Sequence, residues 1–393
     1  MLRKTICCSV ALIALAAACS GGSQPGARTP PGAASSDTSP GAGPGVDSGP
    51  PYAGKGPHVA GVTRLRLDDG RQVVVWYPAQ RGATTGAQEV VVLPSMLTQE
   101  LQAKIPAEQR VPYKVDAYEG AAPDRAGAPY PVVLFSHGFA GYPEQSTNLT
   151  THLAQWGFVV VAPEHVERSL GGLLGDHSQG VAKSDDPTVL ARSLDLVVAE
   201  NSHEGSPLRG MVDKDKVAVT GHSAGAGAAY RLASSDARIK AFISYAVGFG
   251  GPGGAAPAPP PKPGMVMLGT TDGVIPPDSG RRLWDTMAKP KYRVEIAGAG
   301  HLVFSDICEI GKEQGGIVAI VKRLNLPIPD NLLKLGSDGC DPGSLDPSKA
   351  FGSINHLSVA FLRFELGLDK QPQGLSTKAV AGLGAPVTVT AIT

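Results

Sequence analysis

The chain has 393 residues, among them 50 Gly and 34 Pro; 5% are aromatic, 18% are charged, and 35 basic side chains balance 35 acidic ones. Neutrality without a Lys/Arg run excludes the electrostatic footprint of a nucleic-acid binder, and 42% apolar residues exclude disorder throughout. Gly and Pro without a three-residue period are not collagen, so their excess must collect in particular segments of a globular chain.

Residues 1–19 read as a signal peptide. Arg3 and Lys4 precede an apolar run over 6–18, and small residues lead into Cys19. The run is too short to span a bilayer comfortably. A Cys after small residues resembles a bacterial lipobox, in which Cys19 is lipidated and becomes the mature N-terminus. Ala16 stands where such boxes usually carry Leu, and cleavage after Ala18 to a soluble product is the alternative. Either route means export, as a cell-envelope lipoprotein or a secreted protein, with membrane attachment only through that lipid. Residues 20–57 are so rich in Gly and Pro that they read as a flexible tether. A second loose stretch, 248–264, reads as a surface loop.

The body is expected over 58–370, with a tail over 371–393. Runs at 59–67 and 72–77, split by Asp68-Asp69-Gly70, predict a hairpin. Short unbroken apolar runs follow at 132–136, 158–162, 216–220, 239–245, 265–269 and 292–296. Such runs fit strands covered on both faces. Helical patterns lie between them at 147–156, 189–200, 224–234 and 280–287. Alternation of this kind predicts an α/β fold, a mostly parallel central sheet flanked by helices with an antiparallel N-terminal hairpin. Ligands in such sheets bind at the carboxyl ends of the strands.

One strand end reads Gly221-His222-Ser223-Ala224-Gly225 and runs into an Ala-rich helix. Gly-x-Ser-x-Gly is cheap in a chain this rich in Gly and Ser, but the strand–turn–helix context is that of a nucleophile elbow. Ser223 is therefore the expected nucleophile. A serine hydroxyl needs a base, and the base needs an orienting acid. His301, after the flexible 297–300 stretch, is the expected base. His356 precedes an apolar helix, where a cap or surface role is expected. Asp272 ends a strand and is the expected acid; Asp278 and Asp285 belong to the next loop and helix, and Asp306 to local structure.

The oxyanion requires two backbone amides, assigned to Phe139 and Ala224. His137 is expected to be scaffold, and His165 and His222 are candidates to line the pocket. Glu164, His165, Asp176 and His177 are a weak grouping toward a metal, and the chemistry calls for neither metal nor cofactor. Cys308 and Cys340 are the one pair in the folded part, either a disulfide or two free thiols. A disulfide would stabilise by roughly 3–4 kcal/mol through loop closure.

These residues resemble α/β-hydrolases of the platelet-activating-factor acetylhydrolase and predicted dienelactone hydrolase group. The similarity runs through Val75-Trp76-Tyr77-Pro78-Ala79, Ser136-His137-Gly138-Phe139, Ala162-Pro163-Glu164-His165, the Ser223 motif, and Gly300-His301 with Phe304-Ser305-Asp306-Ile307-Cys308. It implies a triad of Ser223, Asp272 and His301 with oxyanion amides at Phe139 and Ala224. The stretch from Gly141 to Ser146 is also similar to bacterial cutinase-type polyester hydrolases. Dienelactone hydrolases proper carry Cys where this chain has Ser, so their reaction does not transfer. The expected function is a serine hydrolase of carboxylic esters, of short-acyl or phospholipid acetyl type. A polyester hydrolase and a non-catalytic cell-surface binding protein are the alternatives. The partner is a small ester, lipid or polyester; oligomeric state has no signal in the sequence.

Overall fold

The body's first expected feature forms as a hairpin, β1 (Val59–Arg66) paired antiparallel with β2 (Gln72–Ala79). The computed structural model describes residues 49–175, 181–249 and 257–393. The apolar runs become β5 (Tyr130–Ser136), β6 (Val159–Pro163), β7 (Val212–His222), β8 (Ile239–Tyr245), β9 (Gly264–Gly269) and β10 (Lys291–Ile296). Three strands were not expected: β3 (Gln88–Val92), β4 (Pro112–Glu119) and β11 (Val387–Ile392). Among the described residues the sheet runs β11-β10-β9-β8-β7-β5-β6-β2-β1-β4-β3.

The helices are α1 (Gln99–Ala103), α2 (Thr147–Gln155), α3 (Leu170–Leu173), α4 (Asp186–Glu200), α5 (Ala224–Ser235), α6 (Pro277–Thr286), α7 (Gly316–Arg323), α8 (Asp330–Leu335), α9 (Ser348–Glu365) and α10 (Thr377–Val380). Helices α2 and α9 cover one face of the sheet, and α4, α5 and α6 cover the other. With both faces covered, the central strands are buried along their length, which is why their sequences do not alternate. Asp185 starts α4 by accepting the Thr188 amide at 2.9 Å, with a proline in the first turn.

Strand β5 pairs in parallel with β6 on one side and β7 on the other. The chain leaves β5 for β6, then returns past β5 to lay down β7. That reversal opens a crevice at the carboxyl ends of β5 and β7. The 136–141 loop and the Ser223 turn both issue from it.

Three expectations need correcting. The tether ends earlier than Pro57: residues 20–48 lie outside the described residues, but Tyr52 is buried. Its ring meets Trp156 edge-on at 4.9 Å and its hydroxyl donates to Asp369. One aromatic side chain anchors a segment that composition alone marks as loose. The 371–393 segment is not a tail, because β11 completes the sheet edge against β10 over six paired residues. His356 is neither cap nor surface residue. It is fully buried inside α9, where one ring nitrogen meets the Tyr52 amide at 3.3 Å and the other the Gly374 carbonyl at 3.0 Å.

Candidate active site

Ser223 sits between β7 and α5 with φ 57° and ψ −119°, a region that non-glycine residues enter only under compulsion. The compulsion comes from its neighbours. A Cβ on Gly225 would lie 2.0 Å from the Ser136 carbonyl oxygen, and one on Gly221 would lie 2.3 Å from the Gly225 carbonyl oxygen. Only glycine lets the turn close this tightly. Ala224 then begins α5, where first-turn amides have no intrahelical acceptor and the helix dipole presents its positive end.

Asp272 follows β9 and His301 follows β10, and parallel pairing of those strands brings the two loops together. His301 Nδ1 lies 2.8 Å from Asp272 Oδ2, and both side chains are almost fully buried. The other Asp272 oxygen accepts the amides of Val274 at 2.9 Å and Ile275 at 2.7 Å, which fixes the carboxylate plane. Ser223 and His301 line one cleft together with His222, Gly138 and Phe139.

His222 and Gln145 interlock beneath it. Gln145 Oε1 accepts the Gly138 amide at 2.8 Å, so its amide nitrogen is left to donate. That nitrogen lies 3.1 Å from His222 Nδ1, which must then be the acceptor. The His222 proton is on Nε2 and donates to the His301 carbonyl at 3.0 Å. Burial holds His222 well below the usual histidine range, so the ring is neutral, as this arrangement requires. The Gly138 N–H is thereby occupied and is not free to meet an oxyanion.

A buried arginine supports the same loop. Arg168 donates to the Gly138 carbonyl at 2.8 Å, to the Ser136 hydroxyl at 2.9 Å and to the His137 carbonyl. Its Nε is bound to Asp186 at 2.8 Å. His137 is buried beside it: Nε2 accepts the His165 amide at 3.0 Å, so Nδ1 carries the proton to the Gly138 carbonyl at 2.8 Å. His165 does not line the cleft. It is fully buried, 2.9 Å from the Ser136 hydroxyl, and burial pushes it down to about 4. Its Nδ1 is 3.0 Å from Asp186 but off the line of a hydrogen bond. Asp176 and His177 lie outside the described residues. Among those described, no cluster of metal-ligating side chains occurs.

Asp338 is a site residue with no sequence signal. Its carboxylate accepts the His301 amide at 2.6 Å and the Gly273 amide at 3.1 Å, and its carbonyl accepts the Leu302 amide at 3.0 Å. Two residues on, Cys340 is bonded to Cys308, so the expected pair forms. Arg168 is a similar omission. Gln145 was visible only as part of a similar stretch, without a role.

A family model for chlorophyllase matches residues 99–267, a span that includes Ser223 and stops before Asp272 and His301. The chain is 22% identical over 285 residues to platelet-activating factor acetylhydrolase of Cavia porcellus, and 23% identical over 288 residues to that of Canis lupus familiaris. Each match covers 63% of this chain and 60% of the relative, so the chain spans less than two thirds of the curated relatives' length. A ferulic acid esterase from Streptomyces cinnamoneus superposes with a TM-score of 0.55 at 20% identity, over 85% of this chain and 96% of that one. Likeness at that identity speaks for the fold.

Proposed function

We propose that this chain, an α/β-hydrolase by fold and by its relatives, hydrolyses carboxylic esters through Ser223, His301 and Asp272. The observation that carries the reading is the buried 2.8 Å contact between His301 Nδ1 and Asp272, beside a cleft that His301 shares with the strained Ser223. Ser223 Oγ attacks the ester carbonyl carbon while His301 Nε2 takes the hydroxyl proton. Asp272 holds the imidazole tautomer and stabilises the imidazolium. The tetrahedral oxyanion is received by the Phe139 and Ala224 amides. Collapse breaks the ester C–O bond, and the alcohol leaves with the proton from His301. Water, deprotonated by His301, then attacks the acyl-enzyme and returns Ser223 to its starting state.

The test is turnover of p-nitrophenyl butyrate. Ser223→Ala and His301→Ala should each lower kcat by about 10⁴-fold or more. Turnover by Ser223→Ala within tenfold of the wild type would overturn the assignment.

Export belongs to the same reading. The Cys308–Cys340 bridge supports an oxidising compartment. The 1–19 signal and a lipid on Cys19 lie outside the described residues. No helix of the described residues is long and apolar enough to cross a membrane. The intact mass of the mature N-terminus, with and without Cys19→Ala, decides between anchored and free forms.

A further inference from the structure

The cleft over Ser223 is roofed by a small apolar core separate from those on the two faces of the sheet. Leu97 and Leu101 of the α1 region pack with Val321 and Leu326 of the segment that follows the His301 loop. From this segment Val318, Val321, Ile328 and Leu332 line the cleft, together with Met96 and with Leu97, which packs beside Val321. The polar lining centres on one linked cluster, Gln145, His222 and His301 beside Ser223. No Lys, Arg, Asp or Glu is among the described residues that line it.

This separation selects for chemistry. A charged group drawn inside would lose its water and meet no counterion. An aliphatic chain would exchange water for carbon along the whole wall. The segment that forms the wall is bracketed by Cys308 and Cys340 and footed on His301 through Asp338, so it is held in register with the base.

We infer that the cleft binds an uncharged ester with a medium-length aliphatic acyl chain, laid against the 317–335 wall with its carbonyl at Ser223. The inference rests on the ester-hydrolase reading above and narrows it. Acetyl-type esters leave the wall empty, and a phospholipid head group has no partner inside.

The test compares p-nitrophenyl acetate with p-nitrophenyl octanoate. Each methylene seated on the wall is worth about fourfold, so kcat/KM should favour octanoate by at least about tenfold. Val318→Trp narrows the wall and Leu332→Asp charges it. Each should lower the octanoate-to-acetate ratio of kcat/KM at least about tenfold, while circular dichroism and thermal unfolding report folding. Should both variants fail to fold, the wild type alone decides, with octanoate set against mono-p-nitrophenyl suberate, whose chain ends in a carboxylate. Octanoate should again lead by about tenfold. Ethyl octanoate should exceed both ethyl acetate and octyl acetate, which carries the same chain on the alcohol side. Acetate or the charged ester turned over as well as octanoate, or ethyl octanoate no better than ethyl acetate, would overturn the inference while leaving the ester-hydrolase reading intact. A wild type inert toward every ester would overturn both.

Discussion

Gln145 joins three parts of the site through one side-chain amide. Its oxygen holds Gly138 of the oxyanion loop, its nitrogen fixes the His222 tautomer, and His222 in turn holds the His301 carbonyl. None of these contacts touches a reacting atom, so Gln145 acts by placing the groups that do. Gln145→Ala should lower kcat by about tenfold to a hundredfold, the cost of small misplacement, and leave KM within about twofold. Gln145→Glu should do no better, because a carboxylate cannot donate to His222 Nδ1. Kinetics at several pH values check this, and an unchanged kcat in Gln145→Ala would remove the residue from the account. The sequence made Ser223, Asp272 and His301 visible because each ends or follows a strand. Gln145, Arg168 and Asp338 act through contacts to distant segments, which no local pattern encodes.

At the scale of elements, the loops after β9 and β10 meet at Asp338. Its carboxylate accepts one amide from each, at Gly273 and His301. The acid and base loops are thereby fastened to the foot of the apolar wall. Asp338→Ala frees both amides and should cost about tenfold or more in kcat, with Asp338→Asn intermediate because an amide oxygen can still accept. Equal kcat in all three proteins would show that the loops hold themselves. The buried parallel strands were legible because burial on both faces leaves continuous apolar runs. Strands β3 and β4 were not, since they lie toward the sheet edge, where β3 buries Glu89 and exposes Val90 and β4 mixes polar with apolar residues. Helices α7 and α8 are short and separated by Pro327 and Pro329, so the wall they form had no single pattern to find.

Across the whole molecule, buried titrating groups pull stability in opposite directions. Burial lowers His152 and His165 to about 4. Their neutral forms contribute fully above the unfolded histidine value, and that contribution is lost as pH falls from about 6.5 toward 4. Burial raises Asp306 and Glu89 to about 7. These carboxyls contribute below the unfolded carboxylate value, and their share is lost as pH rises toward 7. Asp306 accepts the Thr147 hydroxyl and the Asn148 amide at the start of α2, and its other oxygen has no partner among the described residues. Asp306→Asn removes its part of the slope. Relative to the wild type, the variant should gain on the order of 2–4 kcal/mol between pH 4 and 7.5. Denaturant unfolding at both pH values checks this, and a constant difference would mean that Asp306 is ionised in the fold.

Activation of Ser223 for attack is what the elbow, the base and the acid together would produce, and active-site labelling reads that activation. A fluorophosphonate probe, followed by peptide mass analysis, should place one phosphonyl group on Ser223 in the wild type. Ser223→Ala should carry no label, and His301→Ala should label far more slowly. Full labelling of Ser223→Ala, or a wild type modified at another residue with Ser223 untouched, would contradict the account.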